Sequence, residues 1–206
     1  RPVITTTPSD KPDIDFQYLD ISSIDNQTSR ITNPKKYLGA EAPSRARQVV
    51  AANDTLFSTV RTYLQNIALV PLNLDGQVAS TGFAVLRPAH GIEPRFLFQY
   101  TLTGGFLNPL GELQRGSSYP AVRDEDVRAQ KFPLPPTAEQ RRIVAKIEEL
   151  FSELDKGIEN LKQARAQLAV YRQALLKHAF EGHLTAEWRA ANRHKLESAD
   201  QLLVQI

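Results

Sequence analysis

The sequence predicts an α+β protein: a globular domain of short strands and helices followed by one long coiled-coil helix. Three observations predict it. Short apolar runs rich in β-branched and aromatic residues, broken by Pro, Gly, Asn and Asp, fill the first 136 residues. Pro135-Pro136 then sets an extended backbone directly before Thr137, with Gln140 three positions on, which reads as a capping box opening a helix. Behind it Ile147, Leu154, Leu161, Leu168 and Leu175 recur every seven residues, with Leu150, Gly157, Ala164, Tyr171 and His178 three positions after each. The expected boundaries are 1–136 for the globular domain, 137–182 for the helix and 183–206 for an extension of short helices.

Residues 1–13 read as irregular, and Phe16 to Ile24 alternates in the manner of a strand. Residues 29–48 read as a basic, loop-rich segment with a short helix after Pro43. Val49-Val50, Thr55–Val60, Ile67–Val70 and Gly82–Leu86 read as strands, with Asn53-Asp54 as a turn. Phe96–Leu102 and residues 106–114 read as helices separated by Gly104-Gly105. Gly116 to Pro120 reads as a loop, Asp124–Arg128 as a turn or short helix, and Lys131–Leu134 as a brief strand. Glu139 suits the first turn of the long helix, where the dipole favours negative charge. Gly182 reads as its C-terminal stop, and 185–192 and 197–205 as short helices with Thr185 and Ser198 as caps.

The heptad stripe changes width along its length. Position e is apolar first (Val144, Phe151, Ile158) and basic later (Arg165, Arg172). A wide stripe suits packing on more than one side, and a narrow one suits a two-helix seam. The residues expected in that seam are Ile147, Leu150, Leu154, Gly157, Leu161, Ala164, Leu168, Tyr171 and Leu175.

Composition narrows the function. Net charge is only +2, and residues 1–136 carry 14 Lys and Arg against 13 Asp and Glu. Binding to nucleic acid by bulk charge is excluded, so any such contact must focus its cations on one face or draw part of its affinity from partners. Cys is absent, which excludes disulfides and Cys-based zinc sites and fits a cytoplasmic protein. Met is absent even at position 1, which reads as a piece of a longer chain or one whose start is missing. No run approaches a membrane span.

Catalytic chemistry is not legible. Asn33-Pro34-Lys35-Lys36-Tyr37 only superficially matches the Asn-Pro-Pro-Tyr/Phe loop of adenine methyltransferases and reads as a surface turn. No phosphate loop occurs. His90, His178, His183 and His194 lack metal-ligand spacing, and Asp10, Asp13 and Asp15 read as a solvated loop. The expectation is a non-enzyme that binds neither metal nor cofactor.

Pro133-Leu134-Pro135-Pro136-Thr137-Ala138-Glu139-Gln140-Arg141-Arg142-Ile143-Val144 resembles the proline box of the specificity subunits of type I restriction–modification systems. Gly116-Ser117-Ser118-Tyr119-Pro120 is similar to the loop that ends the family's target-recognition domain. Ala179-Phe180-Glu181-Gly182-His183-Leu184-Thr185-Ala186-Glu187-Trp188-Arg189 is similar to the ending of its long helix. The resemblance implies a DNA-reading domain for one half of an interrupted site, and a helix acting as ruler between two such domains. It implies methyltransferase subunits that carry S-adenosylmethionine, and restriction subunits that cleave. One domain and one helix imply half a subunit, either the N-terminal half or a naturally half-size one, which pairs with a second copy through the helix when isolated. The segment from Leu196 to Ile206 is similar to the stretch leading towards a second domain.

Within that reading Arg61, Tyr63 and Gln65 alternate after the Leu56–Val60 strand and are expected to share a base-reading face. Ser117, Ser118 and Tyr119 are expected to join them. Arg30, Lys35, Lys36, Arg45 and Arg47 are the phosphate candidates. The competing reading is a dimeric coiled-coil adaptor whose domain binds protein, which the near-neutral charge favours.

Overall fold

Strand β7 (Thr55–Ser58) is buried on both faces, and the globular fold is layered around it. Successive side chains of a strand point to opposite faces. Leu56 therefore packs with Leu19, Val50, Val70 and Leu74 on one side, while Phe57 packs with Phe106, Leu110 and Val127 on the other. A strand covered twice needs apolar residues at consecutive positions, which explains the unbroken Leu-Phe pair.

The structure, a computed structural model, describes residues 3–204. Arg1, Pro2, Gln205 and Ile206, at the two ends of the expected irregular start and helical extension, lie outside the described residues. The strands in chain order are β1 (Ile4–Thr5), β2 (Asp15–Leu19), β3 (Ile24–Asp25), β4 (Arg30–Ile31), β5 (Lys35–Leu38), β6 (Ala46–Val49), β7, β8 (Ile67–Leu69), β9 (Val78–Ser80) and β10 (Phe83–Leu86). The helices are α1 (Pro94–Thr101), α2 (Gly104–Glu112), α3 (Asp124–Arg128), α4 (Thr137–Phe180), α5 (Ala186–Ala191) and α6 (Ala199–Val204). The expected α+β class with one long helix is what the structure shows.

A five-stranded sheet runs β1-β6-β9-β2-β5, parallel only between β2 and β9. A three-stranded antiparallel sheet, β10-β7-β8, forms the middle layer, and β3-β4 is a short ribbon. Helices α1 to α3 supply Phe96, Phe106, Leu110 and Val127 to the burial on the far side of the middle layer. Asp54, almost fully buried at the start of β7, is paired with Arg87 at 2.6 Å and accepts the Ala51 N–H. Gly39 lies so close to the Lys11 and Pro8 carbonyls that a Cβ would stand 2.1 Å and 2.4 Å from them. No side chain fits there, and the fit pins the start of the chain to the turn after β5.

Contacts divide the chain into two units, 1–147 and 148–206. Helix α4 is continuous through 44 residues, about 66 Å at 1.5 Å per residue. In the second unit Gly182 adopts a φ of 78° and its N–H bonds the Ala179 carbonyl, ending the helix as its sequence position predicts. Ser198 and Gln201 exchange side-chain to backbone hydrogen bonds at the start of α6. No helix among the described residues is long and apolar enough to cross a membrane.

Several local expectations are corrected. The Phe16–Ile24 strand stops at Leu19, because the Asp20 carboxylate accepts the Ser23 N–H at 3.0 Å and winds residues 21–23 into a 3-10 turn. Residues 29–48 hold β4, β5 and part of β6, and their helical turn is at Gly39–Glu41, ahead of Pro43. Gly104-Gly105 opens α2 where a break was expected. Lys131–Leu134 joins no ladder; Phe132 is held instead by edge contacts with Phe96 and Tyr100 at 5.6 Å and 5.3 Å. Strand β9, with only three residues, was not visible in the sequence.

The capping box at Thr137 is also corrected. Gln140 is completely buried and turned away from its own helix end. Its Nε2 donates to the Pro135 and Gly91 carbonyls at 2.8 Å and 3.0 Å, and its Oε1 accepts the Glu93 N–H at 2.7 Å. Thr137 Oγ1 donates to the Gly91 carbonyl at 3.2 Å. Both side chains thus tie the first turn of α4 to the segment that opens α1. Removing a buried hydrogen-bonding group costs about 1–3 kcal/mol for the partners left unsatisfied. Gln140→Leu should accordingly lower the free energy of unfolding in urea by about 3 kcal/mol, and Thr137→Val by under about 1 kcal/mol. Equal effects of the two would show that the buried Gln140 amide holds the corner no more firmly than the exposed Thr137 hydroxyl.

Candidate nucleic-acid interface

The site grows out of the end of β7. Past Ser58 the Thr59 N–H bonds the Gly82 carbonyl and the Val122 N–H bonds the Thr59 carbonyl, so the loop from 115 to 121 is drawn alongside. Val60 and Ala121 form a bridge, and Arg115 and Ala121 close the loop with two backbone hydrogen bonds of 2.9 Å each. Gly116, at a φ of 92°, makes the turn into it.

Arg61, Tyr63 and Gln65 do not alternate on a strand. They belong to a tight 3-10 turn, Thr62–Leu64, flanked by Arg61 and Gln65 in left-handed conformation with φ of 50° and 52°. Each such non-glycine residue costs about 1 kcal/mol or more, a strain that persists only where surroundings impose it. Here Thr62 is buried and accepts a 2.7 Å hydrogen bond from Gln114, and the Arg61 N–H bonds the Pro120 carbonyl at 2.7 Å. Asn26 Nδ2 donates to the Leu64 carbonyl at 2.9 Å, which ties the β3-β4 turn to the 62–64 turn.

The structure therefore joins the 61–65 turn to the 116–120 loop through Arg61, by loop contacts and not on a shared strand face. The Arg61 guanidinium lies 4.6 Å from the Tyr119 ring centroid, and its Nη2 donates to the Ser118 carbonyl at 3.3 Å. Tyr63 and Tyr119 are exposed at 60% and 69%. Lys35, Lys36, Arg45 and Arg47 lie instead on the five-stranded sheet or at its margin. Lys35 is ion-paired with Asp20 at 2.7 Å, and Arg47 donates to Thr7 and to the Ser44 carbonyl. Two groups escaped the sequence reading: Arg115, an exposed cation at the root of the loop, and the half-buried Gln114 behind it. A cation next to Gly116 was the available signal.

Among the described residues no group of His, Asp and Glu is placed to hold a metal. Burial raises the Asp20 carboxyl, but hydrogen bonds from Lys35, Ser22 and Ser23 outweigh it and hold it below the usual carboxylate value. A depressed carboxylate stabilises the fold above its unfolded pKa and loses that contribution as pH falls through the folded one. Asp20→Asn should thus cost about 0.5–1 kcal/mol at pH 7 after solvent screening. The difference from wild type should shrink as pH falls below about 4 and through the lowered carboxyl pKa, measured as urea midpoints across pH. A difference that grows on acidification would reverse the assignment.

A globular α+β unit and a long helix make up the described chain, and similarity to known proteins gives it a family. The family model for the type I restriction modification DNA specificity domain matches residues 7–163, and the chain belongs to that family. It is 29% identical over 137 residues to the type I restriction enzyme EcoDI specificity subunit of Escherichia coli, and 37% identical over 76 residues to the EcoKI specificity subunit of Escherichia coli strain K12. These alignments take in 66% and 37% of the chain but 30% and 16% of those relatives, so the chain spans less than a third of their length. The HsdS subunit from Thermoanaerobacter tengcongensis superposes with a TM-score of 0.71 at 47% identity, over 76% of this chain and 40% of that one. A chain from a structural study of complex assembly and conformational transition in the type I system gives 0.73 at 43% identity, over 87% and 46%.

Proposed function

We propose that this chain is the DNA-reading half of a type I specificity subunit, non-catalytic in itself. It recognises one part of a bipartite site in double-stranded DNA and positions methyltransferase and restriction subunits whose chemistry, including the use of S-adenosylmethionine, is theirs. The observation that carries the reading is the family match, which runs through the recognition region into the long helix. The loop pair adds physical support: arginine, hydroxyl, amide and aromatic groups gathered on rigid turns are the groups that reach base edges and phosphates. Tyr63, Gln65, Ser117, Ser118, Tyr119 and Arg30 are the contacts at that pair. Lys35, Lys36, Arg45 and Arg47 serve as phosphate contacts on the sheet side, Lys35 after releasing Asp20.

The helix is the spacer and the pairing surface. Leu150, Leu154, Leu161, Leu168, Tyr171 and Leu175 are exposed, and a Cβ added at Gly157 would meet open space. Such a stripe fits the equivalent stripe of a second copy, with Ile147 at its inner end and Gly157 and Ala164 allowing close approach.

Two measurements test this. The purified chain should sediment as a dimer at tens of micromolar. Leu161→Asp, which alters both copies in a symmetric pair, should weaken association by about 100-fold or more. With the cognate methyltransferase, adenines should be modified only when this chain is present, at a short motif repeated as an inverted pair at fixed spacing. A monomer removes the pairing; methylation that ignores the chain, with no complex formed, moves the protein to the adaptor reading.

A further inference from the structure

The Arg61 side chain is unusual for a base reader in how much of it is already committed. Its Nε is buried and has no hydrogen-bond partner. Its Nη2 is turned to the Ser118 carbonyl, its guanidinium lies against the Tyr119 ring, and its backbone N–H holds the Pro120 carbonyl. Reading guanine bidentately takes two adjacent donors free at one edge. The Nε edge is covered and one Nη is engaged, so Arg61 would have to abandon the loop in order to read. Tyr119 is in the opposite condition: one part of its ring is backed by the guanidinium and 69% of the residue remains exposed. It sits near the tip of a five-residue loop closed by the Arg115–Ala121 bridge. An amphipathic ring held rigidly loses little entropy on contact, and it offers a face for sugar or a thymine methyl and a hydroxyl for a phosphate or base edge.

We propose that Arg61 is a positioning residue, and that the side chain it positions, Tyr119, is a specificity-determining contact to double-stranded DNA. The inference rests on the DNA-reading function proposed above. Arg61 acts by its planar fork and stacking face, which a lysine cannot reproduce.

Amide hydrogen exchange on the free chain tests the clamp. Arg61→Lys and Arg61→Gln should each speed exchange of the Arg115 and Ala121 amides by about 10-fold or more. Tyr119→Phe should leave them unchanged, and the Leu56 and Phe57 amides serve as the control that the fold is intact. Selection from a pool of randomised duplex DNA with the full chain tests the role of Tyr119. Tyr119→Ala should flatten the wild-type motif at particular base pairs, and both Arg61 variants should flatten those same pairs. The double variant Arg61→Gln/Tyr119→Ala should bind no worse than Tyr119→Ala alone. The salt slope of the Arg61 variants should match wild type, since giving up one phosphate would lower it by about 0.9.

Loss of preference at a base pair that Tyr119→Ala preserves would make Arg61 a direct reader. Recovery with Arg61→Lys would make it a charge alone. Wild-type selectivity in Tyr119→Ala would remove Tyr119 as the contact. Each of these overturns the proposal while leaving DNA reading in place. A wild-type chain that enriches no sequence overturns DNA reading itself, and this inference with it.

Discussion

The buried Gln140 amide is the main tie between the start of the long helix and the segment that opens α1. A helix opening leaves backbone groups without partners, and such groups are ordinarily satisfied locally. Here Gln140 and Thr137 are turned outward from α4 to serve the backbone at Gly91, Glu93 and Pro135. The first turn of α4 is thereby built into the globular unit by hydrogen bonds that need one rotamer at zero exposure. Pro135 and Pro136 contribute by removing donors that would otherwise need partners in this crowded corner. A glutamine offers two donors and an acceptor on one side chain, and so satisfies two carbonyls and an N–H at once.

The same reliance on backbone contacts shapes the interface. Strand β7 and its neighbours are packed on both faces, and the two candidate loops are extensions of that middle layer, joined through Thr59, Val60, Ala121 and Val122. Strain at Arg61 and Gln65 is tolerated because Thr62 is buried between them. The near-neutral charge of the chain is consistent with this arrangement, since Lys35 and Arg47 are engaged within the fold. Cations are left at particular loop positions, Arg30 and Arg115 among them.

Fold class and the long helix were legible because periodicity over five heptads and a proline-delimited start are strong local signals. The stop of α4 at Gly182 followed from residue chemistry, and the Pro135-Pro136 pair marked its start. What misled was partnership across distance. Thr137 and Gln140 have the spacing of a capping box, and no local rule shows that Gly91 and Glu93 will claim them. Arg61, Tyr63 and Gln65 have strand alternation, yet buried Thr62 and the Gln114 side chain fold the segment into a turn. Strand β9 is too short to carry a pattern and exists because β2 and β6 lie ready on either side. The Gly116 loop and the segment after β7 stood out in the sequence because both break regular structure with polar and aromatic residues.

The bonds that shape the recognition loops run mainly to main-chain atoms: Pro120, Ser118, Arg115, Ala121 and Leu64 each take part through backbone groups. The side chains of Ser117 and Tyr63 decorate that frame without being part of it. Such a frame is indifferent to what it displays. Side chains at these positions can be exchanged while the loops keep their course, so a lineage under pressure to change its target could move from one sequence to another by few substitutions. Arg61, Gln65 and Gly116 are where that freedom ends, because there a left-handed backbone restricts which residues the chain accepts.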